Sequence, residues 1–210
     1  MDNMNITSSK THVEYLNEGD SSHEYLVEGN VQFTLALVSL HNHLVNARVN
    51  VSLVGPNANV TIVGLIIAGD DSKINLHTMQ VHEAHDTMSN LLVKTALSGT
   101  ASCVIDGGIR VEKQAQKTDA YQRNENILLS PHAHAESKPS LEILANDVRC
   151  THGATVGPVS AEEVWYLTAR GISGPTAEKL IVSGFLKSAI DKISEKSVRD
   201  PLWQKIESAI

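Results

Sequence analysis

Between residues 29 and 157, apolar side chains recur at every second position, and turn residues cut each run short. Val31, Phe33, Leu35 and Leu37 alternate with Gln32, Thr34 and Ala36. Val45, Ala47, Val49, Val51 and Leu53 repeat the pattern, Val60 and Ile62 open a third run, and Ile74, Leu76 and Met79 mark a more polar one. A period of two belongs to strands with one buried face. Gly55-Pro56-Asn57, Gly69-Asp70-Asp71, Ser98-Gly99, Asp106-Gly107-Gly108 and Ser130-Pro131 read as the turns between strands. Ala58, Ala101, Ala133 and Ala154 fall in small-residue turns 43, 32 and 21 residues apart, near multiples of one half-coil of a stacked β-solenoid. Eight aromatics in 210 residues suit a narrow solenoid interior; a β-sandwich is the rival.

The ends differ. Residues 1–28 are polar and weakly periodic, and are expected to be a short N-terminal segment before a strand-rich core over 29–157. Residues 158–210 switch to helical period. Ser160 and Glu163 form a capping box, Gly171 is a C-terminal stop and Pro175 lies near the start of a second helix. Asp200-Pro201 is expected to begin a third, with Leu202, Trp203, Ile206 and Ile210 on its apolar side.

Charge and composition exclude several classes. A net charge of −7 disfavours a nucleic-acid partner. Two cysteines cannot staple a disulfide scaffold. The best apolar run, Val60 to Ala68, is nine residues, and the N-terminus has no apolar signal region, so no membrane partner and a cytoplasmic location are expected. No G-x-x-x-x-G-K-[ST] loop or G-x-S-x-G elbow occurs, so no nucleotide is expected on this chain.

Ten histidines invite a metal reading. The informative one is His152 in Cys150-Thr151-His152. On a strand, residues i and i+2 share a face, so a thiol and an imidazole would point the same way. Both suit iron, zinc or iron–sulfur clusters, yet two ligands do not close a site without a second chain. On spacing alone, a buried cysteine beside a hydrogen-bonded histidine is the commoner arrangement. His41-Asn42-His43 and His132-Ala133-His134 are H-x-H pairs without a diagnostic third ligand, and His82-Glu83-Ala84-His85 lacks the spacing of a zincin helix. Cys103, in an apolar strand, reads as a small buried hydrophobe.

Ordered motifs sharpen this. Gln116-Lys117-Thr118-Asp119-Ala120-Tyr121-Gln122, Asn126-Ile127-Leu128-Leu129-Ser130 and Pro139-Ser140-Leu141-Glu142-Ile143 precede the block Cys150-Thr151-His152-Gly153-Ala154-Thr155-Val156-Gly157. Trp165-Tyr166-Leu167, Ala169-Arg170-Gly171-Ile172 and Gly184-Phe185 follow it. Over roughly residues 87 to 187 this resembles the SufB/SufD family of iron–sulfur cluster assembly proteins, on its SufD-like side. The resemblance implies a right-handed parallel β-helix followed by a small C-terminal helical subdomain. It implies a non-enzymatic scaffold that handles a transient iron–sulfur cluster, docks a SufC-like ABC ATPase through its helices, and forms a homodimer or a heterodimer with a SufB/SufD paralogue through its β-helix. Cys150 and His152 match the family's C-x-H-G-A-T motif and become the candidate cluster and metal ligands; His132, His134 and Glu142 are further ligand candidates. The stretch Pro131-His132-Ala133-His134 lacks the thiol that the SufB side carries there. A SufD-like structural subunit without metal, or a carbohydrate-active β-helix enzyme with aromatic platforms and a groove lined by Asp, Glu or Lys, are the alternatives.

Overall fold

The computed structural model describes residues 2–210, with side chains from residue 3. Its strands, in chain order, are β1 (Asp2–Ile6), β2 (Lys10–Tyr15), β3 (Gly19–Val27), β4 (Gln32–Leu40), β5 (Leu44–Leu53) and β6 (Asn59–Ala68). Then come β7 (Lys73–His82), β8 (Met88–Leu97), β9 (Ser102–Val111), β10 (Thr118–Leu128), β11 (His134–Ile143) and β12 (Val148–Pro158). Odd strands form one six-stranded sheet, in the order β1-β3-β5-β7-β9-β11; even strands form the other, from β2 to β12. All neighbours are parallel, so the chain winds as a β-solenoid with one strand per sheet in each coil. β1, β2 and β3 carry solenoid structure through the segment whose weak periodicity suggested only a lead-in.

The coil lengthens along the chain. Asp2 pairs with His23, 21 residues on, whereas Ser102 pairs with His134, 32 residues on. The spacing of Ala101 and Ala133 is therefore one coil, but Ala154 lies inside β12, not in a turn. Asp106-Gly107-Gly108 is also strand, inside β9. Those glycines make room: a Cβ on Gly107 would stand 2.1 Å from Gln122 Nε2. The true corners repeat a left-handed residue at Asn30, Asn57, Asp86 and Lys117, each donating its N–H to the carbonyl of the next coil. Gly99 takes the same conformation at φ +60°, where a Cβ would come within 2.7 Å of Asp70 backbone.

Inward positions stack in columns and make the core. Phe33, Leu35 and Leu37 of β4 meet Val49, Val51 and Leu53 of β5, all essentially inaccessible. Each such aliphatic side chain contributes about 1.5–3 kcal/mol by leaving water. Half of the aromatics lie in strands, and Tyr25 and Phe33 fit inside the bore with ring centroids 5.5 Å apart.

The even sheet is apolar on its outer face as well. Ala36, Val38, Val63, Leu65 and Ile67 are covered by Val182, Leu186, Ala189 and Ile190 of α2 (Gly174–Ile190) and by Leu202 and Ile206 of α3 (Lys196–Ala209). That accounts for β6, which is buried on both faces. α1 (Ala161–Thr168) starts at Ser160, whose Oγ accepts the Glu163 N–H at 3.3 Å. α3 begins at Lys196, so Pro201 sits one turn inside it instead of at its start. Lys94 joins helix to sheet: its Nζ pairs within the sheet with Glu125 Oε2 at 2.7 Å, donates to Ser188 Oγ of α2 at 2.6 Å and sits 4.2 Å from the Phe185 ring centroid. No described helix is long and apolar enough to cross a membrane.

His82 is fully buried in the bore between Thr87 Oγ1 and Ser89 Oγ, 2.8 Å from each ring nitrogen. A neutral imidazole satisfies both hydroxyls, one as donor and one as acceptor. Burial pushes its pKa down from 6.5 to about 4. The unfolded imidazole takes up its proton near pH 6.5, so below that the unfolded chain binds more protons than the folded one. Stability should be full above pH 6.5 and fall by about 3 kcal/mol as pH drops towards 4. Chemical denaturation of wild type and His82→Gln at pH 7.5 and 4.5 reads this: the variant should lose less on acidification, and equal losses would exclude His82 as the source.

Candidate functional site

The two sheets end on β11 and β12, and neither has a strand beyond it. An exposed parallel edge leaves a row of backbone donors and acceptors ready to pair with another chain. This last coil also has no further coil to cover its inward side chains.

Register fixes which residues those are. Cys150 pairs with Ala120 and His152 with Gln122, and both partners are buried in the bore. Cys150 and His152 therefore stand two positions apart on the inward face of β12, at the open mouth. Cys150 is half-buried against Ala120 and Val148, in the small cluster that includes Ile109 and Val111; His152 is exposed. Burial, followed by a smaller effect of the Asp119 carboxylate, pushes the Cys150 thiol pKa up, against a backbone hydrogen bond at Ala120 that lowers it. Asp119 itself is held on the outer face by Arg149.

An apolar rim surrounds the pair. Leu141 and Ile143 continue the inward columns of Ile109 and Val111, yet they are exposed, as are Leu144 and Val156. Beneath the mouth the bore turns polar. Gln122, Asn124, Thr78 and Gln80 are buried with side-chain atoms that have no hydrogen-bond partner: Gln122 Oε1, Asn124 Oδ1, Thr78 Oγ1 and both Gln80 amide atoms. Reading Gly107 as a turn concealed this layer; only its place inside β9 shows that it clears space for Gln122.

The other candidate ligands lie elsewhere. His132 is in the exposed turn before β11, its backbone N–H donating to Ser130 Oγ. His134 opens β11 next to inward-facing Ala135, so it faces outward. Glu142 is on the outer face of the odd sheet, where Arg110 Nε lies 3.8 Å from its Oε2. The structure thus joins Cys150 with His152 and separates both from His132, His134 and Glu142. Among the described residues, no group of three or more His, Cys, Asp and Glu is already arranged as a metal cage. A thiol and an imidazole are half of a four-ligand site.

Two further surfaces are distinct. Between α1 and α2 runs a groove of about 640 Å³, lined by Trp165, Tyr166, Leu180, Ile181 and Phe185. Trp165 is 69 % exposed and Tyr166 51 %. On the outer face of the odd sheet, a shallow cavity of about 700 Å³ is lined by Asp20, Arg48, His77, Asp106 and Lys138. It has acids and bases but no Tyr, Trp or Phe among its lining residues, so it lacks the stacking platform that a sugar substrate needs.

The thiols should report this geometry. Cys103 is fully buried, and desolvation pushes its pKa up to about 12; Cys150 opens onto solvent at the mouth. Iodoacetamide at pH 8 followed by mass measurement should add one label to the native protein, at Cys150, and two after denaturation. Native labelling of Cys103 would contradict the burial of β9.

With this arrangement in place, comparison with known proteins is informative. Residues 13–185 match the family described as SUF system FeS cluster assembly, SufBD core domain. The chain is 30 % identical over 174 residues to "Protein ABCI7, chloroplastic" of Arabidopsis thaliana, covering 82 % of this chain and 37 % of that protein. It is 28 % identical to the iron-sulfur cluster assembly protein SufD of Escherichia coli, covering 93 % of this chain and 47 % of the relative. To an iron-sulfur cluster assembly SufBD family protein of Mycobacterium leprae it is 31 % identical, covering 89 % and 50 %. The chain therefore spans half or less of the length of these relatives. The family match extends over nearly the whole solenoid and on into α2, and it agrees with the parallel β-solenoid and helical tail seen here: the chain belongs to the SufBD family of iron–sulfur cluster assembly proteins.

Proposed function

We propose that this chain is a scaffold subunit of SUF-type cluster assembly that pairs through β11 and β12 with a second SufBD-family chain and holds iron and sulfide, or the nascent cluster, at that junction. One observation carries the reading: Cys150 and His152 stand together on the inward face of an edge strand that lacks a partner. A chain laid along this edge would continue the backbone ladder, cover Leu141, Ile143 and Val156, and bring a second donor set opposite the first. The cluster is cargo here. Cys150 must give up its proton to ligate, and its raised thiol pKa makes loading weaken as pH falls.

The helical subdomain is the dock for a SufC-like ABC ATPase. Trp165, Tyr166 and Leu180 supply exposed anchors beside a groove of suitable size. ATP chemistry would be the partner's, since this chain has no phosphate-binding loop. A metal-free structural role, on the same edges and the same dock, is favoured by the one observation that Cys150 is held towards its protonated form.

Complexes reconstituted from this chain, a SufC-type ATPase and a SufB-type partner distinguish the two. Wild type should retain iron and sulfide, and Cys150→Ala/His152→Ala should lose most of both while the mass of the complex is unchanged. Full loading in the double variant would overturn the site assignment and favour the structural role. Trp165→Ala/Leu180→Ala should release the ATPase and leave pairing through the β-edge intact.

A further inference from the structure

The opposite end of the bore carries a second polar group. In register, His12 heads the inward column Leu35, Ile62, Leu91, Gln122 and His152, and Glu14 heads that of Leu37. In the odd sheet, His23 and Tyr25 stand in the columns of Val49 and Val51, one strand in from the edge strand β1, whose Asp2 and Met4 are their register partners. β2 and β3 together therefore place two imidazoles, a carboxylate and a phenol over an apolar floor of Leu35, Leu37, Val49 and Val51.

They converge on one atom. His12 Nε2 lies 3.3 Å and His23 Nδ1 3.4 Å from Glu14 Oε2, and the Tyr25 hydroxyl donates to the same oxygen at 2.9 Å. His23 is only 7 % exposed, and neither of its ring nitrogens makes a hydrogen bond. A buried imidazole left this way is costly unless another partner takes its lone pair. Two ligands bound to one tetrahedral ion by bonds of about 2.0–2.1 Å stand roughly 3.3–3.4 Å apart. Both N···O separations have that length.

We propose that His12, Glu14 and His23 form a binding site for a divalent first-row cation, with Zn²⁺ the best match. Two imidazoles and a carboxylate are a set zinc takes readily, with water in the fourth position. The Tyr25 hydroxyl donates to that same Glu14 oxygen and fixes the carboxylate's orientation, as outer hydrogen bonds do at metal sites. The three side chains are not a closed cage as they stand; the ion draws the two rings together by side-chain rotation. His12 and Glu14 are partly exposed, which leaves the ion a way in from solvent. Lys10, whose charge would oppose the ion, is exposed, with its Nζ 3.5 Å from Met4 Sδ.

This site is independent of cluster handling at the other mouth, and its test is made in the Cys150→Ala/His152→Ala protein. After chelator treatment, the full chain is titrated with Zn²⁺ against a chromophoric chelator and, separately, with Co²⁺ by visible absorption. One equivalent of zinc should bind, Co²⁺ should give the intense d–d bands of a four-coordinate ion, and zinc should raise Tm. His12→Ala and Glu14→Gln, both at partly exposed positions, should weaken zinc binding at least about tenfold, with circular dichroism unchanged. His23→Ala should abolish the Co²⁺ bands. Failure of the parent to bind an equivalent, or zinc affinity and Co²⁺ spectra unchanged in His12→Ala and Glu14→Gln, would overturn the proposal.

Discussion

Everything here depends on the ladder of parallel hydrogen bonds between successive coils. It ties each residue to one a coil later in the same sheet, and so converts sequence spacing into stacked columns. A column is either wholly inside or wholly outside. Where its members are Leu35, Ile62 and Leu91, it is core. At the ends of the same column are His12 and His152, polar because no further coil covers them. Chemistry is therefore confined to the mouths by geometry: inside the stack, polar residues are tolerated only where partners exist, as at His82, or where a polar layer has been set aside, as at Gln122 and Asn124.

The strands with one polar face were legible in the amino-acid pattern because alternation directly encodes which face is buried. Val45 to Leu53 became β5, with the odd-numbered positions inward. Other features were not legible, for physical reasons. β1 to β3 lie in the narrowest coils, where polar residues such as His12, Glu14 and His23 replace aliphatics in the bore, so the alternation fades. Gly107 and Gly108 look like a turn because glycine marks both sharp bends and close approaches; here the neighbours are Gln122 and Met79 side chains. Pro201 looks like a helix start, yet α3 absorbs it one turn in.

The candidate site was half visible. The two-residue spacing of Cys150 and His152 put them on one face of any strand, and resemblance supplied the reason to single them out. Only the register put that face towards the bore, and only the topology left that strand without a neighbour. Histidine count was a poor guide by comparison. His41 Nε2 donates to the Ala209 carbonyl and fastens the C-terminus of α3, and His43 and His77 face aspartates on the surface.

The Lys94–Glu125 pair gives the helical tail a mechanical grip on the mouth. Lys94 projects from β8 and reaches both α2, through Ser188 and Phe185, and β10, through Glu125. β10 is the strand on which β12 lies, residue against residue, including Ala120 against Cys150. Sliding α2 across the sheet would take the Ser188 hydroxyl and the Phe185 ring away from Lys94, while its pairing with Glu125 stays within the sheet. Motion of α2 together with β8, β10 and β12 keeps all of these contacts. The path from the tail to the rim of the bore is thus short: α2 to Lys94, Lys94 to β10, and β10 to β12.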